Sequence, residues 1–160
     1  MSLEHAQKWC EALGNDVSAL RELYADWFTL EHTMMDDHMD DTITDTDMLE
    51  AAFGAIASGE NGKYTFTATE WCGGRSDYGL IHWDVKIEGA KTFRGLPVPE
   101  GTTLTGCGST FHILDENGKV RFESTYWEDG RILVQLGVPI IRPHYWRADF
   151  DMAAFVAANA

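Results

Sequence analysis

The segment NGKVRFESTYWEDGRILVQLGV, residues 117–138, carries the strongest structural signal in the chain. Its first dipeptide, Asn117-Gly118, favours a tight reversal because both residues tolerate positive φ. The residues that follow alternate in character from Lys119 to Trp127, which predicts a strand. One face of that strand carries Arg121, Glu123, Thr125 and Trp127, and the other carries Val120, Phe122, Ser124 and Tyr126. The first face mixes charged, hydroxyl and aromatic groups, so we expect it to line a small-molecule pocket on a curved sheet.

The composition of the chain is typical of a globular protein with an aromatic-rich core. Its 160 residues predict a single domain, 1–160, that is long enough to bury a core. The hydrophobic fraction is 44%, and six Trp, five Tyr and eight Phe residues supply groups for a core or for contacts with a flat ligand. Pro139 and Pro143 interrupt the pattern after the last strand, so we expect a C-terminal extension at about 139–160, with a short helix capped by Asp149.

The negative charge of the chain argues against two classes of partner. Twelve Lys and Arg residues against 26 Asp and Glu residues give a formal net charge of −14. A polyanion repels phosphate backbones and anionic lipid surfaces, so we expect no nucleic-acid partner and no membrane partner. Three cysteines without CxxC spacing, an acidic start and no apolar run of membrane-spanning length indicate a cytoplasmic protein with free thiols.

Motifs for metals and cofactors do not occur at the spacing their chemistry requires. The Asp-rich run at 36–41 does not match an EF-hand loop, and His32 and His38 do not form an HExxH pair. Gly106-Cys107-Gly108 is a GxG fragment inside a predicted strand, whereas a phosphate cradle needs a helix after the turn. We therefore expect no metal and no cofactor, and a solvated loop at the Asp-rich run.

Helical periodicity is confined to the first third of the chain and to its end. An apolar stripe at helical spacing predicts an amphipathic helix over residues 3–14 that ends at Gly14, and the stripe comprises Ala6, Trp9, Cys10 and Leu13. A second helix is expected to begin after Asn15 or Asp16, and residues 27–32 are expected to leave it in extended form. Its apolar stripe comprises Val17, Leu20, Leu23, Tyr24 and Phe28. A third helix is expected from Asp47, in capping position, to about Ser58.

Four extended segments follow the helices. Turn signals separate segments at about 63–72, 78–89, 102–114 and 119–129, and the segment 94–101 reads as a loop. Three helices before four long strands predict an α+β fold in which the sheet curls around a helical layer.

Histidines and carboxylates stand out on these strands as possible acid–base groups. In the segment 81–85, His82 and Asp84 share one face, and in the next strand His112 is the odd polar residue. A two-residue or a four-residue hairpin loop would each place His112 and Glu123 on the same face, barring a bulge. A structural role for each strand histidine is the alternative.

The chemistry of such a set would be proton transfer. Two imidazoles and two carboxylates in one cavity can divide into acid and base, because burial and neighbouring charges push their pKa values apart. We assign Asp84 or His82 as the base, His112 as the partner acid, and Glu123 as the orienting group or a second acid. Thr125 and Trp127 share the face of Glu123 and are candidates for substrate binding. Three aromatic residues either line the pocket or fill the core: Tyr24, Phe28 and Trp71.

The C-terminal third of the chain also resembles a known family. Gly118-Lys119-Val120, Tyr126-Trp127-Glu128 and the run 132–138 are similar to the ending of SnoaL-like polyketide cyclases in the nuclear transport factor 2-like superfamily. The upstream loop 95–101 is similar to the family's loop before its last two long strands, and the likeness covers about residues 15–138. The resemblance implies a cone-like α+β half-barrel, with N-terminal helices packed on a curved, mostly antiparallel sheet that encloses a cavity.

The resemblance also implies where site residues lie. It places His82 and Asp84 in the same cavity as the other strand histidine, and Glu31 at a pocket-facing position. The cyclases use an aspartate acid–base near the end of the last long strand, for which Glu128 or Asp129 is the nearest match.

The resemblance further implies a homodimer, because family members commonly pair through the outer face of the sheet. The outward apolar set expected for this contact comprises Ile81, Trp83, Val85, Phe111, Ile113, Phe122 and Tyr126.

Two functions follow as hypotheses. The first is a cofactor-independent enzyme that uses acid–base proton transfer on a hydrophobic carbonyl or hydroxyl compound, in a cyclisation, isomerisation or dehydration. The alternative is a non-catalytic small-ligand-binding or dimeric accessory module that uses the same cavity.

Overall fold

A computed structural model of the chain describes residues 2–34, 42–75, 77–138 and 148–159. Its helices are α1 (Leu3–Asn15), α2 (Val17–Glu22), α3 (Thr46–Ala57), α4 (Asp129–Gln135) and α5 (Met152–Asn159). Its strands are β1 (Tyr24–Met34), β2 (Lys63–Arg75), β3 (Tyr78–Glu88), β4 (Thr92–Phe93), β5 (Leu96–Pro97), β6 (Thr103–Leu114) and β7 (Val120–Trp127). The predictions for residues 35–41 and 139–147, which include most of the Asp-rich run and the proline-containing tail, lie outside the described residues.

The five long strands form one sheet in the order β1-β7-β6-β3-β2. The β2–β3, β3–β6 and β6–β7 pairs are antiparallel, and β1 pairs with β7 in parallel. Helix α1 packs against β2 and α3, so the helices cover one face of a mostly antiparallel sheet. This architecture confirms the predicted α+β fold, and all four predicted strand segments are present.

Helix α1 forms because its polar start and its apolar stripe agree. The Ser2 hydroxyl caps the first turn by accepting from the backbone N–H of His5. The residues that were expected to form the stripe, namely Ala6, Trp9, Cys10 and Leu13, are all buried in the core.

The second helix is much shorter than its periodicity predicts. Helix α2 begins after Asp16, whose carboxylate caps it, and ends at Glu22. Tyr24 and Phe28 therefore lie on β1 rather than on a helix, although both are buried. A register shift between Tyr24 and Thr29 bulges the start of β1 and lets both aromatic rings reach the core. The prediction that the helical stripe reaches Tyr24 and Phe28 is therefore wrong, whereas the extended form expected for residues 27–32 is confirmed.

Two other helix boundaries differ from the prediction. Asp45, not Asp47, caps α3, and its carboxylate accepts from the backbone N–H groups of Asp47 and Met48. Asp151, not Asp149, accepts from backbone N–H groups at the start of α5. Helix α4 had no sequence assignment.

The orientation of β3 is opposite to the one expected for the site. Ile81, Trp83 and Val85 are buried beneath the helices, with exposures of 2% or less. His82 and Asp84 consequently point to the outer face. The expected outward set is wrong for these three apolar residues. The outward side chains on β6 and β7 are Phe111, Ile113, Phe122 and Tyr126, with Tyr126 46% exposed.

A bulge in β7 changes the face of two residues. His112 pairs with Glu123 and Ile113 with Phe122, but Leu114 pairs with Val120. Arg121 is thus the extra residue of the ladder, and it is exposed while Val120 is fully buried. The expectation that Arg121 shares the inner face is therefore wrong, whereas the shared face of His112 and Glu123 is confirmed.

Candidate functional site

A cavity of about 410 Å³ lies between α3, the end of β7 and the β4–β5 hairpin. Its volume falls in the range of small-molecule sites. Most of its lining is apolar or aromatic: Ile43, Ala52, Phe53, Ile56, Tyr64, Phe93 and Trp127. Among the residues that the structure describes, the polar part of the lining comprises Asn61, Arg94 and Asp129. Such a space suits a hydrophobic molecule that carries a few polar atoms.

Arg94 reaches the cavity from a tight turn between β4 and β5. Its φ of 50° and the φ of 77° at Gly95 are both left-handed, as a two-residue type I′ hairpin requires. An arginine in that conformation is strained, because its Cβ crowds the backbone. Asn61 anchors the hairpin, since its side-chain nitrogen donates to the Thr92 carbonyl and its oxygen accepts from the Lys91 N–H.

Asp129 faces Arg94 across the cavity wall. It is the first residue of α4 and follows β7 directly, and its side chain is 12% exposed. The Nε–H of Arg94 donates to Asp129 Oδ2 at 2.7 Å. The cation compensates a carboxylate that would otherwise be poorly solvated at this depth.

Tyr64 completes this charged corner. Burial raises the pKa of the Tyr64 phenol above its ordinary value; the Arg94 cation acts against that rise and the Asp129 carboxylate adds to it. The phenol is therefore protonated at neutral pH and is able to donate a hydrogen bond.

A second group of polar residues lies in the core, away from the cavity lining. His112 and Glu123 are both fully buried, and His112 Nε2 lies 2.8 Å from Glu123 Oε2. The Tyr24 hydroxyl donates to the same oxygen, and the Thr125 hydroxyl donates to Oε1 at 2.6 Å. Burial alone would raise the pKa of Glu123, but the hydrogen bond and charge of His112 and the two hydroxyl groups outweigh it and hold that pKa below its ordinary value. Glu123 is therefore an ionised carboxylate.

His5, which the sequence did not single out, belongs to this group. Its Nε2 lies 3.1 Å from His112 Nδ1, and the two rings meet edge to face with centroids 5.3 Å apart. Burial lowers the pKa of His5 to about 4, and the charge of His112 acts in the same direction. His5 lies one helical turn before Trp9 on α1, and only the three-dimensional contact with β6 reveals its role.

The four candidate catalytic residues do not converge. His112 and Glu123 contact each other, but His82 and Asp84 lie on the opposite face of the sheet. There the Ser109 hydroxyl lies 2.8 Å from His82 Nδ1, and Asp84 is exposed opposite Cys107. The expectation of one cavity holding all four groups is wrong, because β3 turns its apolar residues inward.

The candidate substrate-binding residues also separate. Trp127 lines the cavity. Tyr24, Phe28 and Thr125 are buried in the core, with the rings of Tyr24 and Phe28 4.7 Å apart. Trp71 is partly buried and lies over Gly79, where any side chain would collide with its ring. Glu31 is exposed on β1, so the pocket-facing position expected for it is wrong.

Glu128 and Asp129, the two candidates for an acid–base group at the end of the last strand, lie in different surroundings. Asp129 lines the cavity, whereas Glu128 lies beside the outer-face residue Cys107, whose thiol donates to Glu128 Oε2 at 3.5 Å. Arg94, Tyr64 and Asn61 were missed by the sequence reasoning. The Arg94-Gly95 pair inside the loop 94–101 was the available signal, because an I′ turn commonly ends in glycine.

Solved structures with the same architecture include candidate polyketide cyclases from bacteria. IdmH from Streptomyces antibioticus, a candidate polyketide cyclase, superposes with a TM-score of 0.69 at 18% identity, over 84% of this chain and 97% of that one. A candidate SnoaL-like polyketide cyclase from Jannaschia sp. CCS1 gives a TM-score of 0.62 at 14% identity, over 86% and 92%. The chain shares the fold of these SnoaL-like and candidate cyclase structures, which is the fold that the sequence resemblance implies.

The SnoaL-like fold does not by itself name a reaction. AclR from Streptomyces galilaeus, a candidate hydroxylase, superposes with the same TM-score as the Jannaschia protein, 0.62, at 17% identity, over 86% of this chain and 93% of that one. No family model and no curated protein matches the chain. Function must therefore be argued from the cavity.

Two further properties bear on the class of site. Within the ranges that the structure describes, no three His, Cys, Asp or Glu side chains converge to hold a metal ion. None of the described helices is both long and apolar enough to cross a membrane.

Proposed function

We propose that the protein is a cofactor-independent enzyme that moves protons on a hydrophobic carbonyl or hydroxyl compound bound in the cavity. The observation that carries this proposal is the Asp129–Arg94 pair at 2.7 Å in the wall of an otherwise largely apolar cavity. A carboxylate, a guanidinium and a protonated phenol around one apolar space are the groups that enolisation chemistry needs.

In the proposed reaction Asp129 acts as the base and later as the acid. Its carboxylate removes a proton from the carbon next to the substrate carbonyl, and the C–H electron pair forms an enolate. Arg94 and Tyr64 donate hydrogen bonds to the enolate oxygen as its charge develops. Returning the proton to a different carbon completes an isomerisation. Attack of the enolate carbon on a second carbonyl of the same molecule gives an aldol-type cyclisation, in which the new alkoxide takes the proton back from Asp129. In a dehydration the enolate electron pair expels a β-hydroxyl group, which takes that proton and leaves as water.

Arg94 would then have two partners in turn. Before substrate binds, its Nε–H is bonded to Asp129. A substrate oxygen that takes over part of the guanidinium frees Asp129 to act as the base. The strained backbone at Arg94 supports such a role, since strain of this kind is common at functional sites.

The test is deuterium exchange of the α-protons of β-tetralone, a flat bicyclic ketone, followed by NMR in heavy water. We expect the wild-type protein to accelerate the exchange, and Asp129→Asn to reduce it at least about 100-fold, the usual contribution of a general base. Glu128→Gln is the matched control, because it removes the neighbouring carboxylate on the other side of the strand. Equal rates for Asp129→Asn and wild type would reject Asp129 as the base.

In this proposal His112 and Glu123 support the fold around the cavity and do not touch the substrate. The assay distinguishes the non-catalytic alternative as well. A binding module would take up β-tetralone, seen as quenching of tryptophan fluorescence, without any exchange above the buffer rate in any variant.

We also propose that the protein is a homodimer through the outer face of the sheet. Phe111, Ile113, Phe122 and Tyr126 form an uncharged surface there, and the rings of Phe111 and Phe122 are 6.5 Å apart. An apolar surface on a chain with a formal charge of −14 is a natural site for self-association, because charge elsewhere opposes unspecific contacts.

A further inference from the structure

We propose that Glu123 is a positioning residue for the cavity, and that its buried carboxylate orients the hydroxyl chain that fixes the tryptophan wall formed by Trp83 and Trp127. The wall is defined by these two indole rings, of which Trp127 lines the cavity. The link to substrate rests on the proposed function, but the orientation of the wall does not.

The direction of every hydrogen bond between Trp83 and Glu123 is fixed by chemistry. The indole N–H of Trp83 is only a donor, and it donates to Thr110 Oγ1 at 2.9 Å. The Glu123 carboxylate is only an acceptor, so the Thr125 hydroxyl hydrogen is used on Glu123 Oε1. The Thr110 hydroxyl must then donate to Thr125 Oγ1, 2.9 Å away. The chain therefore runs from Trp83 through both threonines to the carboxylate.

Two other chains end at the same carboxylate. The indole N–H of Trp9 donates to the Tyr24 hydroxyl at 3.2 Å, and that hydroxyl donates to Glu123 Oε2. His112 donates to Oε2 through Nε2, with His5 at its other nitrogen. Glu123 thus accepts directly from β1, β6 and its own strand, and α1 is linked to it through Tyr24 and His112.

The tryptophan wall is assembled over a glycine. Trp83, Gly108 and Trp127 are direct neighbours across three adjacent strands. Because Gly108 has no side chain, the two indoles meet above it at 5.2 Å and 77°, and a Cβ there would collide with the Trp83 ring. The ring of Phe66 packs edge to face against both indoles, with centroid distances of 5.3 Å to Trp83 and 5.5 Å to Trp127. The hydrogen bond to Thr110 is the polar contact that sets the rotation of Trp83.

An amide in place of the carboxylate would conflict with this arrangement. If the NH₂ group of Glu123→Gln faced Thr125, the Thr125 hydroxyl would have to turn towards Thr110. Thr110 Oγ1 would then receive two donors, from Trp83 and from Thr125, and its own hydrogen would lose its acceptor. If the NH₂ group faced Tyr24 and His112 instead, it would meet two donors there. Either orientation disturbs one chain, and an unmade buried hydrogen bond is costly.

Near-UV circular dichroism of the indole pair tests the proposal without any ligand. The band from the pair is identified by its loss in Trp127→Phe. We expect Thr110→Val and Glu123→Gln to weaken this band, and Thr110→Ser, which keeps the hydroxyl, to retain it. Thr110→Val has the same shape as the native residue, so it carries the test even if Glu123→Gln does not fold.

Affinity for β-tetralone, measured by tryptophan fluorescence, separates positioning from mere stability. We expect Thr110→Val to weaken binding about fivefold to tenfold, as expected for one misplaced buried group, and Thr110→Ser to bind as wild type does. An unchanged band in Thr110→Val, or a changed band with unchanged affinity, would overturn the proposal. Binding that follows this pattern without any exchange activity would reject the proposed function and leave the positioning role of Glu123 intact.

Discussion

Replacement of His5 by glutamine should remove a specific part of the acid sensitivity of the protein. His5 has a pKa of about 4 in the folded protein against 6.5 in the unfolded chain, so the unfolded chain binds a proton more readily. The contribution of His5 to the free energy of unfolding is then fully present above about pH 6.5, and it is lost as the pH drops towards about 4. The groups that face the imidazole are His112 on β6, Glu123 on β7 and Lys8 on its own helix.

The size of the effect follows from the two pKa values. Lowering the pH from about 7 to about 5 would cost at most about 2 kcal/mol, at 1.36 kcal/mol per pKa unit. His5 is only partly buried, and solvent screening reduces the expected loss to about 1 kcal/mol. In a domain of this length that corresponds to about 2–4 °C in Tm. Glu123, whose pKa is lowered on folding, contributes its own loss only at pH values below its ordinary range.

Thermal unfolding followed by circular dichroism at a series of pH values is the assay. Gln keeps a polar atom near His112 but does not titrate, so His5→Gln should lose about 2–4 °C less than wild type between about pH 7 and about pH 5. His82→Gln, on the opposite face of the sheet, is the matched control and should follow the wild-type curve. If His5→Gln and wild type lose the same number of degrees, His5 is not a buried neutral group and the reasoning fails.

Three further changes test the fold and the proposed assembly. Gly108→Ala should destabilise the protein by at least about 2 kcal/mol, because the new Cβ would lie 2.5 Å from the Tyr126 carbonyl oxygen. Gly54→Ala, on the open face of α3, should instead stabilise it by about 0.5 kcal/mol. Urea unfolding measures both variants, and equal unfolding midpoints would contradict the packing at Gly108. Asp45→Ala should cost about 1 kcal/mol through loss of the α3 cap, and an unaltered midpoint would show that the cap is unimportant. Phe122→Asp should give a monomer in light scattering while the folded CD spectrum is kept; a dimer of unchanged mass would place the interface elsewhere.

The strand pattern predicted the sheet well, because period-two alternation and turn dipeptides are local signals. Asn117-Gly118 and the alternation after it located β7 and placed His112 and Glu123 on one face, while two registers of the hairpin stayed open. The inward direction of each strand is a different matter. For β3, burial of Ile81 and Trp83 beneath α1 outweighs the advantage of gathering all polar residues in one place. That balance depends on partners far along the chain.

Polar groups inside the core could be predicted only in part. The sequence identified Glu123 as an inward residue, but its donors come from positions 24 and 112 as well as from Thr125, and His5 reaches it only through His112. Tyr24 was assigned to a helix because its spacing fits a helical stripe, whereas the structure places it on a bulged strand. A buried carboxylate is tolerated only when such distant donors converge, and a local pattern cannot show that they do.

Glu123 on β7 and Asp129 just after it are two carboxylates on the same side of the sheet in very different surroundings. Alternation turns residues 123, 125 and 127 inward, and the same phase brings Asp129 to the inner end of the sheet as α4 begins. Glu123 lies deep in the core, where both of its oxygens already accept hydrogen bonds and no space is left for a substrate. Asp129 lies six residues later at the cavity, where its partner is a guanidinium on a strained turn. A satisfied carboxylate stabilises a fixed arrangement, whereas one held by a displaceable cation can exchange a proton, and this difference is the reason that we propose a structural role for Glu123 and a chemical role for Asp129.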